Sequence, residues 1–338
     1  MIFISWGAVA GRSSELAEAL GGHAFALFPP REDRRPPVLV RYLLSSIATL
    51  AILLRTDPRA IIVTNPPILL AYLAWCWSGL RRIPLVLDSH PGSFGKQGDA
   101  VSAWFIPVHR WLARRAAGVI VTDSTWVTEV QQWGGRGLVV HEAPGPWICS
   151  HGRVLEPGIR PKVLFVSRFA GDEPVVEAIE AAAWARGVDF LVTGRLEDLP
   201  AGLREAASSN VSFVGYVPVA QYRRLVEEAD VVLALTTEPT SAMRAACEAV
   251  YAAKVLVVSD WSLDRELFPY AVHTANDARS IAASVESAVA NHEELQSHAG
   301  QARRLQLERF DSQLAGLATV LGVTDAPPRP PEGGSPRP

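Results

Sequence analysis

The chain is poor in sulfur. Its 338 residues include three cysteines and two methionines. Cys76, Cys149 and Cys247 are odd in number, far apart and without a C-x-x-C pair. This excludes a disulfide framework and a zinc-type spacing, and fits thiols kept reduced as small buried side chains. Long apolar runs are also missing. The charge-free stretch between Arg41 and Arg55 holds 13 residues, and the run from Ile68 to Leu80 is similarly short. A spanning helix needs about 20, so none is expected, although a segment lying on a membrane remains compatible. The start, MIFISWG, lacks the basic region of a secretory signal and leads straight into a strand-like run. No G-x-G-x-x-G follows a strand, and no P-loop, H-E-x-x-H or G-x-S-x-G occurs, which argues against most dehydrogenases, P-loop NTPases and serine hydrolases. A D-x-D motif is absent too. No metal, cofactor or nucleic acid is therefore expected.

What is present is globular: 49% hydrophobic and 20% charged residues. The length suits two domains with a core each. Net charge is −3 but unevenly spread. Through Leu155 there are 15 Lys and Arg against 10 Asp and Glu, and beyond it 17 against 25. A basic first half suits an anionic acceptor or an acidic lipid surface, and is equally compatible with a solvated surface. The expected location is cytoplasmic, with peripheral contact on the inner face of the cell membrane as the alternative.

Strand and helix signals alternate. Ile2-Phe3-Ile4 reads as a buried strand, followed by a glycine turn and a helix capped at Ser13 or Ser14. Val38 to Leu54 places Leu39, Leu43, Ile47, Leu50 and Leu54 at helical spacing. Further strands are expected at Ala60–Val63, Leu85–Leu87, Val119–Val121 and Leu138–Val140, with helices between them. A stretch rich in proline and glycine, from Ala143 to Pro161, reads as a linker. The pattern then restarts with strands at Lys162, Phe190, Val211, Val231 and Val255. Apolar strands alternating with helices predict parallel sheets covered on both faces. The expected domains are 1–150 and 161–300, with a helix over 301–322 crossing back to the first and a disordered tail over 325–338.

Open α/β sheets bind ligands beyond the carboxyl ends of their strands. The polar residues there are the candidates. Asp88 and His90 follow the fourth strand and can supply a base with its orienting partner, although an Asp at a strand end also caps turns. Gly7, Gly11, Arg12, Asn65 and Ser93 are candidates on the same side. In the second half they are Arg168, Gly194, Arg195, Tyr216, Thr240, Ser241 and Glu248. Thr240-Ser241 is expected to cap a helix starting near Met243, whose free N–H groups suit a diphosphate. Glu248 would share a face with Ser241. The helix around Trp104–Arg115 is read with Trp104, Val108, Trp111 and Leu112 on one face and His109, Arg110 and Arg114 outside it. That pattern fits a core helix with a basic rim, or a membrane-interface helix helped by Arg31, Arg34 and Arg35.

Five segments occur in an order and spacing that resemble a family. They are Val63-Thr-Asn-Pro-Pro, Leu87-Asp-Ser-His-Pro-Gly-Ser-Phe94, Gly171-Asp-Glu-Pro174, Asn210-Val-Ser-Phe-Val-Gly-Tyr-Val-Pro218 and Glu248 through Asp260. Together they look like bacterial GT-B glycosyltransferases related to glycosyltransferase family 4, and are similar to the β-1,4-mannosyltransferase of lipid-linked oligosaccharide synthesis. The resemblance implies two doubly wound Rossmann-like domains facing across a cleft. It implies a nucleotide-sugar donor on the second domain and a glycan or polyprenyl-linked acceptor on the first. It also implies roles: Glu248 for the donor ribose, Ser241 and Arg168 for the diphosphate, and His90 facing the reacting sugar. Thr240 stands where the family pattern has a first glutamate, and the lysine position near Glu173 is not basic. A GT-B protein that only binds a partner enzyme, and a nucleotide-sugar epimerase, are the alternative classes.

Overall fold

The structure, a computed structural model, describes residues 1–7, 11–27, 37–95, 100–145, 147, 155–156 and 158–323. The Arg31, Arg34 and Arg35 run and the expected disordered tail lie outside the described residues. Contacts group residues Met1–Ala143 with Phe310–Pro338 as one unit and Pro144–Arg309 as the other.

The first unit contains β1 (Ile2–Ser5), α1 (Gly11–Ala19), β2 (His23–Ala26), α2 (Val38–Thr56), β3 (Ile61–Asn65), α3 (Ile68–Arg81), β4 (Leu85–Ser89), α4 (Ala100–Ala113), β5 (Gly118–Val121), α5 (Ser124–Gln132) and β6 (Gly137–Val139). All its strands pair in parallel, in the order β2-β1-β3-β4-β5-β6. Strand residues alternate between two apolar layers, as period-2 side chains must. Ile4, Val63, Leu87 and Val121 pack with Leu53, Leu70, Leu112 and Trp126 from α2 to α5. Phe3, Ile62, Val86 and Ile120 face the other way, toward Leu16 of α1 and toward Phe310, Leu317 and Leu321. Helices α2 to α5 thus share one face of the sheet.

The second unit contains β7 (Lys162–Phe165), α6 (Val175–Trp184), β8 (Asp189–Thr193), α7 (Leu203–Ala206), β9 (Val211–Gly215), α8 (Val219–Glu228), β10 (Val231–Ala234), α9 (Arg244–Tyr251), β11 (Val255–Ser259), α10 (Ser262–Leu267), β12 (Val272–Thr274), α11 (Ala278–Ala290) and α12 (His292–Leu321). The strand order is β12-β11-β10-β7-β8-β9, again all parallel. Helices α6 and α11 cover one face, and α8 to α10 with Leu307 of α12 cover the other. The last turns of α12 belong to the first unit, where Gln313 exchanges hydrogen bonds with the His141 backbone and ring at 2.9 and 2.8 Å.

Four sequence expectations need correction. Helix α1 begins at Gly11, so Ser13 and Ser14 lie inside it and neither is its cap. Helix α4 covers Ala100–Ala113, starting and ending earlier than the expected stretch around Trp104–Arg115, and runs through Pro107; the ring removes one N–H from the ladder, and packing holds the helix across the gap. Helix α9 starts at Arg244 with Met243 at the N-cap and no side-chain cap, so Thr240 and Ser241 precede the helix in a turn. The short pieces α7, α10 and β12 carry too few residues for a readable period.

The fourth concerns α4. His109, read as part of its outer face, is 1% exposed, and Leu112 is fully buried, whereas Trp104 is 84% exposed. Helix α2 shows the same reversal of a water-soluble pattern. Its inward residues are Ser45, Thr49 and Leu53, and Thr49 Oγ1 accepts from Trp6 Nε1 at 2.9 Å. Leu39, Leu43, Ile47, Leu50 and Leu54 face outward, with Leu39 at 83% exposure. By length and composition alone, α2 is long and apolar enough to cross a membrane.

Candidate active site

In the first unit the candidates gather at the carboxyl ends of β3 and β4. Asp88 is buried in β4, and its Oδ1 lies 3.4 Å from Nη2 of Arg12. Arg12 is buried as well. Its Nη1 donates to Glu142 Oε1 at 2.9 Å and its Nη2 to the Val140 carbonyl at 2.8 Å. Burial opposes the guanidinium charge, but Asp88 and Glu142 outweigh it and hold the group more firmly protonated than usual. Arg12 is therefore a structural cation tying α1 to β4 and the end of β6, and is not offered to an acceptor. Gly7 and Gly11 flank the undescribed residues 8–10, ahead of and at the start of α1.

His90 differs from its neighbours. Its side chain is 47% exposed, and its Nε2 lies 3.9 Å from Asp88 Oδ2, an ion-pair distance rather than a hydrogen bond. That Oδ2 has no hydrogen-bond partner among the described residues. His90 opens a short 3-10 turn, Pro91–Phe94, and its carbonyl accepts from Ser93 N at 2.8 Å.

A closed ring of hydrogen bonds holds that turn. Asn65 Nδ2 donates to Ser89 Oγ at 3.3 Å, and Ser89 Oγ meets His109 Nε2 at 3.0 Å. His109 Nδ1 lies 3.1 Å from the Ser93 carbonyl, and Ser93 Oγ donates to the Asn65 carbonyl. Since a carbonyl only accepts, the ring proton sits on Nδ1 and Nε2 accepts from Ser89. The imidazole also packs against Phe94 and Trp133, with centroids 5.1 and 5.0 Å away. Asn65 and Ser93 thus hold the backbone under His90. His109, missed from the sequence, completes the ring. The apolar residues around it in α4 concealed its inward position.

Burial pushes His109 down to about 4, against the backbone bond to Ser93, which favours the charged form. With an unfolded value near 6.5, the neutral ring contributes stability that is full above pH 6.5 and lost as pH falls toward 4. At about 1.4 kcal/mol per pH unit, roughly 3 kcal/mol goes over that window. Urea unfolding of wild type between pH 7 and 4 should show this decline. His109→Gln should start lower at pH 7 and lack this component. An equally steep decline in the variant would remove His109 as its source.

In the second unit the candidates line the carboxyl ends of β7 to β10. Glu173 is central, although nothing in the sequence singled it out beyond a missing lysine. Its Oε2 accepts from Ser167 Oγ at 2.5 Å, Arg168 N at 3.0 Å and Ala170 N at 3.3 Å. The carboxylate therefore fills a nest of backbone donors and shapes the loop after β7. Phe169 takes a left-handed φ of 60° there. A Cβ on Gly194, at the end of β8, would lie 2.5 Å from the Phe169 ring, so only glycine lets the ring lie on that backbone. Arg168 points outward with its side chain 78% exposed, its Nε 4.0 Å from Glu173 Oε1.

The loop after β10 is tied to this one: Thr237 N and Thr236 Oγ1 both donate to the Asp172 carbonyl, at 2.8 and 3.1 Å. It leads through Thr240 and Ser241, both partly buried, to α9. Glu248 is buried on α9 and engaged at both oxygens. Arg244 Nε donates to Oε1 and Tyr222 Oη to Oε2, each at 2.7 Å. Burial, with the Glu248 charge beside it, raises the Tyr222 hydroxyl well above its usual range. Glu248 therefore acts first on Arg244, aiming a half-exposed guanidinium from the first turn of α9. The expected pairing of Ser241 and Glu248 on one helix face does not occur. Arg244 was overlooked, though its (i, i+4) spacing to Glu248 is the readable signal. Exposed Tyr216 follows β9, and Arg195 stacks over its ring at 5.4 Å. Asn210, in one of the resemblance segments, is structural: its Nδ2 reaches the carbonyls of Ala182, Ala185 and Val188 within 3.2 Å. Among the described residues, no group of three His, Cys, Asp or Glu is placed to hold a metal ion.

Comparison with known proteins agrees with this architecture. Residues 7–144 match the family model described as a glycosyl transferase 4-like domain, and residues 173–314 match a glycosyl transferase-like model. No curated protein matches the sequence. Among solved structures, Anabaena Alr3699/HepE in complex with UDP and glucose is similar, with a TM-score of 0.71 and 16% identity over 95% of this chain and 99% of that one. Sucrose-phosphate synthase (tll1590) from Thermosynechococcus elongatus gives a TM-score of 0.69 and 15% identity over 94% and 97%. A UDP-forming α,α-trehalose-phosphate synthase from Burkholderia xenovorans gives 0.63 and 14% over 95% and 98%. The two parallel-sheet Rossmann-like domains are thus those of the GT-B fold.

Proposed function

We propose that this GT-B chain, built of a glycosyl transferase 4-like and a glycosyl transferase-like domain, moves a hexosyl group from a nucleotide-sugar to a glycan acceptor carried on a lipid, in cell-surface polysaccharide or glycolipid synthesis. The observation that carries the reading is a pair of guanidiniums reaching solvent in the second unit, one on the loop after β7 and one in the first turn of α9. Arg168 stands on a loop shaped by Glu173, and Arg244 is aimed by Glu248. Two cations there suit a departing diphosphate, whose developing charge is the largest electrostatic demand of the reaction. They would supply it without a metal ion, in keeping with the absence of D-x-D. Tyr216, with Arg195 behind it, offers a flat face for the nucleobase, and the N–H groups before α9 a place for phosphate.

On the acceptor side, His90 is the group able to take a proton from the attacking hydroxyl. With Nε2 on the Asp88 side, 3.9 Å from Oδ2, Nδ1 is the nitrogen that would act as the base, while Asn65, Ser93 and His109 position the turn. UDP is the first nucleotide to test, because several similar structures hold it. The mannosyl and polyprenyl assignments rest on the sequence resemblance.

Thermal-shift and calorimetric titration with UDP, GDP, TDP and ADP tests the donor half. One of them should stabilise the protein. Arg168→Ala should weaken that nucleotide about tenfold to a hundredfold without lowering the unliganded melting temperature, as expected for losing one charged contact. A protein that binds none of the four would end the transferase reading. Conversion of a nucleotide-sugar with no acceptor present would instead indicate an epimerase.

A further inference from the structure

The first unit carries an outward apolar face that none of its described residues covers. It begins with α2, which turns Ser45 and Thr49 toward the sheet and Leu39, Leu43, Ile47 and Leu54 toward solvent. A helix meant for water does the reverse. Helix α3 packs between α2 and α4 on the same face of the sheet. It adds the exposed Tyr72 and Leu80, and α4 adds Trp104, Phe105 and Val108. Soluble monomers seldom expose this many large apolar side chains on three adjacent helices.

The charges within the three helices of this face have one sign. Helices α2, α3 and α4 contain no Asp or Glu along their lengths. Their charged residues are Arg41, Arg55, Arg81 and Arg110, and Arg82, Arg114 and Arg115 follow directly. Among these, Arg81 pairs with Asp57 beyond the end of α2. Arg115 lies over the Trp111 ring, 4.2 Å from its centroid, and Arg81 over Trp77. Exposed leucines, an outward tryptophan and arginines stacked on aromatic rings make the composition of a helix lying in a bilayer interface.

We infer that α2 and α4 dock this face onto an anionic lipid bilayer, with the leucines of α2 and Trp104 entering the acyl boundary and the arginines at the headgroups. Helix α2 cannot span instead. It is the crossover between β2 and β3, parallel strands of one sheet, and Leu53 and Thr49 anchor it on that sheet. Both its ends stay on one side. The face suits an acceptor presented at a membrane, but the inference stands on this surface alone, whichever sugar is transferred.

Vesicle flotation tests it with the full chain. Wild type should float with vesicles of phosphatidylcholine and phosphatidylglycerol, and binding should fall at least tenfold with pure phosphatidylcholine in 0.5 M salt. Leu43→Glu/Ile47→Glu should float at least tenfold less while retaining the far-UV spectrum and melting temperature, since both side chains point outward. Trp104→Phe should reduce the fluorescence quenching caused by brominated lipid. No flotation of wild type, or equal flotation of the double variant, overturns the inference. So does a wild-type dimer without vesicles that the double variant dissolves, because the face would then be a self-interface. Nucleotide titration without vesicles is unaffected by any of these results, so failure here is separable from failure of the transfer reading.

Discussion

Arg12→Met is expected to destabilise the first unit by about 3–5 kcal/mol, the cost of removing one partner from a buried ion pair. The guanidinium serves Asp88, Glu142 and the Val140 carbonyl together. Without it, buried Asp88 and the Val140 carbonyl lose a charged donor, and Glu142 loses one of its partners. Methionine keeps much of the side-chain volume, so the loss reads the charge rather than a cavity. Urea unfolding at pH 7, followed by tryptophan fluorescence, should show an early transition for the first unit while the second keeps its midpoint. Arg12→Lys should recover little, because a single ammonium cannot fork between the two carboxylates. Adding Asp88→Asn to Arg12→Met should recover part of the loss, because one stranded charge is then gone. A loss under about 1 kcal/mol would mean that water replaces the guanidinium, and the network would not be what ties α1 to the sheet.

His90→Ala is expected to lower transfer by about a hundredfold to ten-thousandfold, the range for removing a positioned general base. The loss should fall on kcat, with KM for the donor nearly unchanged, because the groups proposed to hold the donor belong to the second unit. Stability should hardly move: the ring is half-exposed and its one described polar contact is Asp88 at 3.9 Å. His90→Gln, which keeps hydrogen bonding but not basicity, should be nearly as slow. The comparison with His109→Gln separates chemistry from positioning. That variant should lose stability and part of its activity together, whereas His90→Ala loses activity alone. Turnover within a few-fold of wild type in His90→Ala would move the reacting centre away from β4.

The strand-and-helix alternation was readable because each buried parallel strand is a short apolar run and most helices carry a clear period. Ile61–Asn65, Leu85–Ser89 and Val255–Ser259 fall where those runs lie. Site residues were readable only as positions at strand ends. Asp88, His90, Asn65 and Ser93 do collect around one turn, but their partner His109 comes from α4, whose apolar surroundings disguised it. Arg12 was read as a site candidate because its structural partners lie 76 and 130 residues away. Glu248 was legible as a residue and not as a role, since its contact to Tyr222 depends on where α8 rests beside α9.

The apolar stripe of α2 shows where the division falls. Sequence alone determined that Leu39, Leu43, Ile47, Leu50 and Leu54 share one side of a helix, because that follows from 3.6 residues per turn. Which way the side points was decided by tertiary structure. The sheet beneath α2 accepts Ser45, Thr49 and Leu53 beside Trp6, and the leucines are left to the outside. A period fixes relations within one element. Its orientation is set by what the neighbouring elements leave unfilled, and that information is spread over residues far apart in the chain.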